Sequence, residues 1–142
     1  WWTKDDATKF DARANALAAY YDKIEVAPGV HANGKFTLGE NIADQGGLLI
    51  SYQAFDKVLK SSPLENKDGF TPQQRFFLAY ANVWAGNIRP EEILKLTKMD
   101  PHSLGKWRVN AALPHIDSWY SAFDVKPENT LYVTPDQCAV VW

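Results

Sequence analysis

The sequence contains a single cysteine, Cys138, in 142 residues. No internal disulfide can form, so a cystine-stapled scaffold is excluded; the compartment stays open, because many exported bacterial proteins also lack disulfides. Excess charge is equally scarce. Fifteen Lys and Arg face 17 Asp and Glu, a net charge of −2, so no global basic field exists to hold nucleic acid or an anionic membrane. No run approaches the ~20 consecutive apolar residues of a membrane span. The opening Trp1-Trp2-Thr3-Lys4-Asp5-Asp6 has neither the basic start nor the apolar run of a signal peptide. It also lacks an initiator Met, and the chain is expected to be a segment of something longer. There is no Gly-x-Ser-x-Gly, no phosphate-binding glycine loop and no His-Glu-x-x-His. His31, His102 and His115 are too far apart in sequence to make an i,i+4 metal dyad.

What remains is an ordinary globular composition, 46% hydrophobic and 23% charged, with an aromatic content of 13%. The length fits one domain with a sizeable core. Thr3 to about Asp22 reads as a helix, capped by Thr3, with Asp5 and Asp6 in the first turn and Phe10, Leu17, Tyr20 and Tyr21 at helical spacing. Ala27-Pro28-Gly29 stops it. Asn33-Gly34 between short extended runs predicts a small β-hairpin near residues 30–37. A second helix is expected from about Leu38 to Leu59, with Gly46-Gly47 allowing close backbone approach. Polar 61–69 is a surface loop. Thr71-Pro72-Gln73-Gln74 is a capping box opening a third helix that ends near Gly86. Arg89-Pro90-Glu91-Glu92 opens a fourth to about Lys98. Residues 100–113 are expected to be mostly loop or short turns, Pro114 to start a last helix through Phe123, and 131–133 and 140–142 to be extended. The fold class is mainly α.

Glu40 and Asp44 are spaced i,i+4, so both carboxylates lie on one helical face. A solvated face is the ordinary reading of such a pair. Ile42, Gly46, Gly47, Leu48 and Leu49 around it favour a buried helix and a metal ligand with a supporting acid instead. His102 and Arg108 share a polar segment. A histidine can donate to a developing oxyanion, and an arginine can hold a carbonyl by two parallel bonds. On local sequence alone, a structural loop with Arg108 in a salt bridge is the stronger reading. The stripe of Phe76, Phe77, Tyr80, Val83 and Trp84 reads as core before it reads as a substrate pocket, and nothing around Cys138 marks it as a nucleophile.

Three ordered blocks change that balance. The stretch 30–48, with Gly39-Glu40-Asn41-Ile42-Ala43-Asp44 at its centre, resembles the Glu-x-x-x-Asp region of neprilysin-like zinc metallopeptidases. Phe76-Phe77-Leu78-Ala79-Tyr80-Ala81-Asn82-Val83-Trp84 is similar to the helix lining that family's S1′ pocket. His102-Ser103-Leu104-Gly105-Lys106-Trp107-Arg108-Val109-Asn110 is similar to its His/Arg loop. Residues 122–127 and the terminal Trp142 fit the same pattern, and the match covers essentially the whole chain.

The resemblance implies a single C-terminal segment, 1–142, of a gluzincin-type catalytic domain that hydrolyses peptides with zinc. By resemblance Glu40 is the third zinc ligand and Asp44 the acid that orients a zinc-binding histidine. His102 stabilises the oxyanion, Arg108 grips the substrate carbonyl beyond the scissile bond, and Val83 and Trp84 line S1′. The His-Glu-x-x-His and an Asn-Ala-x-x-Tyr substrate clamp would lie upstream of Trp1. The segment alone is therefore expected to be inactive and to lack zinc. Its expected partners are a peptide substrate and the upstream part of the same enzyme, with self-association possible through an exposed apolar surface. Leu104 and Ala111 stand where the family commonly has Pro and Gly. Cys138 is displaced by one residue from the animal cysteine, and no partner cysteine follows Trp84. The cysteine departures favour a bacterial, disulfide-free member over an animal ectoenzyme, and such a member is expected to be exported, periplasmic or at the cell surface. The rival readings are a peptide-binding module without catalysis and a helical interaction domain.

Overall fold

A computed structural model describes residues 1–141; Trp142, part of the family pattern above, lies outside the described residues. The chain is mainly helical, as its composition and spacing predict. Helix α1 spans Lys4–Asp22 behind a reciprocal cap: Asp6 N donates to Thr3 Oγ1 at 3.1 Å and Thr3 N donates to Asp6 Oδ2 at 2.9 Å. It buries Ala14, Leu17, Ala18 and Tyr21. Helix α2, Leu38–Ser61, runs two residues longer than expected and packs on α1.

The two-stranded sheet lies earlier than its sequence signal. Strands β1 (Glu25–Ala27) and β2 (Val30–His31) pair antiparallel around Pro28-Gly29, where Gly29 has φ +71° and its N–H donates to Glu25 Oε1 at 2.7 Å. Asn33-Gly34 enters α2 instead. Asn33 Oδ1 accepts from Phe36 N, and its carbonyl accepts from Thr37 N. The freedom of Gly34 is used for close approach: a Cβ there would sit 2.0 Å from the Ala18 carbonyl oxygen, and its N–H reaches Asp22 Oδ1 at 2.6 Å. Gly47, by contrast, faces open space, so the expected close approach is not made there.

Helix α3 (Pro72–Val83) opens on the predicted box, Thr71 with Gln74, and stops three residues short of Gly86. Helix α4 is Pro90–Met99. The expected loop after it holds a short helix, α5 (Gly105–Asn110), which has no side-chain cap to announce it. Pro114 sits in a 3-10 turn, Leu113–His115, and α6 begins only at Asp117, ending at Phe123. Residues 131–133 and 139–141 are in no strand.

Two apolar clusters hold these parts together. Ala14, Leu17 and Tyr21 of α1 meet Ile42, Ala111, Ala139 and Val141; Leu48 meets Phe77, Ala112, Leu113, Ile116 and Trp119. Helix α2 contributes to both, so its N-terminal half is fixed from two sides. The tail adds a polar clamp. Buried Gln45 donates to the Ala139 carbonyl at 2.6 Å and accepts from Val141 N at 3.1 Å, and Ala139 N donates to His115 Nδ1 at 3.2 Å.

Candidate functional site

The first turns of α2 present Glu40 and Asp44 on one face, as their spacing requires. Each meets a partner from the 100–110 segment. Arg108, on α5, forks onto Asp44: Nε donates to Oδ2 at 2.7 Å and Nη2 to Oδ1 at 2.6 Å. The two side chains are 12% and 11% exposed. This hydrogen-bonded pairing, chiefly, raises the affinity of Arg108 for its proton. The guanidinium also lies 3.8 Å from the centre of the Trp84 ring, a cation–π platform at the end of α3. Tyr80, one helical turn earlier, donates its hydroxyl to the Arg108 carbonyl at 2.9 Å. Burial, with the nearby Asp44 charge, pushes the Tyr80 phenol up to about 12, so it remains a donor.

His102 faces two carboxylates. Its Nδ1 is 2.7 Å from Asp100 Oδ1 and its Nε2 is 3.1 Å from Glu40 Oε2. Asp100 Oδ1 also accepts from the His102 backbone N at 2.9 Å. Those bonds, backbone first, hold the Asp100 carboxyl below its ordinary range. A carboxylate only accepts, so in this contact the ring Nδ1–H donates to Asp100 Oδ1. Glu40 Oε2, likewise an acceptor, faces Nε2.

A shallow depression runs past these groups. Trp84, Ile88 and Leu96 form its apolar wall, and Asp100, His102 and Arg108 its polar side. Val83 does not line it and is 72% exposed at the end of α3. The structure thus brings Glu40, Asp44, His102, Arg108 and Trp84 together and leaves Val83 outside. Sequence reasoning missed Asp100, although Asp-Pro-His carries a local signal: an Asp two residues before a His can bond both its backbone and its ring. It also missed Tyr80 and Trp84 as supports for Arg108, which no spacing rule links to residue 108.

No group of three or more His, Cys, Asp or Glu able to hold a metal occurs among the described residues. Glu40 fits as one oxygen ligand: its carboxylate is half-exposed and on a rigid helix. Asp44 is already neutralised by Arg108.

The model for peptidase family M13 matches residues 1–140. Neprilysin of Oryctolagus cuniculus is 35% identical over 147 aligned residues, covering all of this chain and 19% of its own length. A neutral endopeptidase of Lactobacillus helveticus is 33% identical over 142 residues, covering all of this chain and 20% of its own length. Among solved structures, the zinc metalloprotease Zmp1 of Mycobacterium tuberculosis in complex with an inhibitor aligns with a TM-score of 0.92 at 36% identity, over 98% of this chain and 22% of that one. The chain spans about a fifth of the length of these curated relatives.

Proposed function

Because the chain belongs to peptidase family M13, we propose that it forms the part of a zinc endopeptidase site that supplies one metal ligand and the groups that bind and polarise the peptide. The observation that carries this reading is the double pairing across one helix face, Glu40 with His102 and Asp44 with Arg108. Glu40 would hold zinc together with two ligands from an upstream segment of the same enzyme. Zinc, when bound, activates a water and polarises the scissile carbonyl. The chain's own residues do the rest. His102, held at Nδ1 by Asp100, donates from Nε2 to the carbonyl oxygen as that oxygen gains negative charge, an interaction stronger in the transition state than before it. Arg108 is held rigid by Asp44 and Trp84, and its Nη1 amino group makes no hydrogen bond among the described residues. That amino group is the donor for the substrate carbonyl beyond the scissile bond. Trp84 supplies apolar surface to the neighbouring side chain, with Val83 extending it once the rest of the enzyme is in place. Asp44 neutralises Arg108 and orients an upstream zinc-binding histidine, the role expected of a carboxylate behind a metal ligand.

Three variants of the full-length enzyme test these roles, with zinc content measured beside peptide kinetics. Glu40→Ala should lose the metal. His102→Ala should keep zinc and lose about 10²–10³ in kcat. Arg108→Ala should keep zinc, lower kcat and raise KM. A His102→Ala enzyme that loses zinc, or keeps full kcat, overturns the role of His102; a Glu40→Ala enzyme with normal zinc overturns the metal assignment.

A further inference from the structure

The contact between Glu40 and His102 is open, with the side chains 43% and 44% exposed. An ion pair that exposed contributes little and does not hold two mobile side chains in place, whereas a catalytic constellation needs placement to about 0.5 Å. The register between α2 and the 100–104 segment must come from elsewhere. One residue further along each strand of chain, a shielded bond joins them. Ser103 Oγ donates to Asn41 Oδ1 at 2.8 Å, and Asn41 is 2% exposed. The bond continues inward: Asn41 Nδ2 donates to Thr37 Oγ1 at 2.9 Å, and Thr37 Oγ1 donates to the Asn33 carbonyl at 3.1 Å. Every donation runs the same way, from the loop through α2 to a backbone carbonyl at its entry. Asn41 follows Glu40 and Ser103 follows His102, so the half-buried bond joins the same two segments one residue beyond the exposed contact.

We propose that Asn41 and Ser103 are positioning residues, their half-buried hydrogen bond setting the register in which His102 faces Glu40. The inference rests on the metallopeptidase reading above. The division of labour is geometric. Asp100 holds the ring and backbone of His102 from within the loop, so that pair moves as a unit. Among the described residues of 100–104, Ser103 makes the one side-chain bond to a buried residue of α2, Asn41, while Arg108 fixes the far end of the segment on Asp44. Without the Ser103 hydroxyl, His102 keeps its Asp100 partner but loses its fixed distance from α2. Glu40 stays on α2 and keeps its own place, so the metal should be retained while turnover falls. Asn41→Ala breaks the same bond from the other side and strands the Ser103 hydroxyl.

The test uses the full-length, zinc-loaded enzyme with a fluorogenic peptide, and amide hydrogen exchange over residues 100–104 in the zinc-stripped enzyme. Ser103→Ala should lower kcat about ten- to a hundred-fold per zinc-loaded site, with normal zinc content and a much smaller change in KM. Exchange over 100–104 should accelerate. Ser103→Thr, which keeps the hydroxyl, should restore most of kcat. Asn41→Ala/Ser103→Ala should be no worse than the more impaired single variant, because both remove the same Asn41–Ser103 bond and Asn41→Ala also removes the bond to Thr37. Unchanged kcat in Ser103→Ala, a loss that threonine does not restore, or additive losses in the double variant would overturn the proposal. A purely structural bond would lower the unfolding midpoint and leave turnover per zinc-loaded site intact, which also overturns it. His102→Ala in the same assay separates the two claims. If it keeps full kcat, the catalytic role of His102 on which this inference rests fails; if it loses kcat while Ser103→Ala does not, only the positioning role fails.

Discussion

Arg108 holds Asp44 by two parallel hydrogen bonds while its guanidinium lies on the ring of Trp84. Both charges are shielded from water, and each is the other's compensation. Removing one partner strands the other, which costs about 3–5 kcal/mol for a buried pair, whereas replacing both is far milder. Asp44→Ala should therefore lower unfolding free energy by about 3 kcal/mol, and adding Arg108→Leu should recover a large part of it. Urea unfolding of the wild type, both single variants and the double variant measures this. Strict additivity would show that the pair is not coupled.

Gly34 and Gly47 make a matched pair of tests. At Gly34 a methyl group would collide with the Ala18 carbonyl, so α1 and α2 would have to separate. Gly34→Ala should cost about 3 kcal/mol or more. Gly47→Ala meets nothing within 4 Å in the interior of α2 and should stabilise by about 0.5–1 kcal/mol through helix propensity alone. Thermal melts of both variants should therefore shift in opposite directions.

His115 is buried, and burial lowers its pKa from an ordinary 6.5 to about 4. Its neutral ring accepts the Ala139 N–H at Nδ1. Below about pH 6.5 the unfolded chain takes up a proton that the folded chain refuses. Stability is then complete above that pH and is lost as pH falls toward 4, by about 3 kcal/mol in all. His115→Asn places an acceptor near the Nδ1 position without a titrating group. Urea unfolding near neutral pH and near pH 5 should show a loss of about 2 kcal/mol in the wild type and a much smaller loss in His115→Asn. Equal losses would remove His115 as the cause.

The isolated chain should bind zinc weakly and cleave no peptide, since the ligand proposed at Glu40 is one where a catalytic zinc uses three from the protein. Cleavage of a fluorogenic peptide that stops on adding a chelator would contradict this. Ile50, Val58, Leu78 and Val83 on α2 and α3 are 40–72% exposed, and apolar surface of that kind finds partners. Sedimentation velocity should show concentration-dependent association of the chain; a monomer at all concentrations would argue against it.

The caps were legible because their chemistry closes within four residues. Thr3 with Asp6 and Thr71 with Gln74 need no knowledge of the rest of the chain. The same holds for the shared face of Glu40 and Asp44, which follows from helix geometry. The turns were less legible. Pro28-Gly29, Asn33-Gly34 and Asp68-Gly69 all carry turn chemistry. Yet only the first closes the sheet and the third a short bridge between Lys67 and Phe70, with φ +54° and +80° at Asp68 and Gly69. Asn33-Gly34 instead serves α1 packing.

Local sequence by itself determined that α1 to α4 are helical, where α1 and α3 begin, and that two carboxylates share a face, because those are short-range matters of backbone sterics, caps and periodicity. Its wider pattern also carried the family. Only the tertiary structure decided what each carboxylate faces. The bonds from Asp44 to Arg108 and from Asn41 to Ser103 join residues 64 and 62 positions apart. No local preference encodes such a pairing; it exists because two apolar clusters lock α2 against α1 and against the 111–119 segment. Packing of that kind is a property of the whole chain, and it is what turns an ordinary pair of acids and a polar loop into one site.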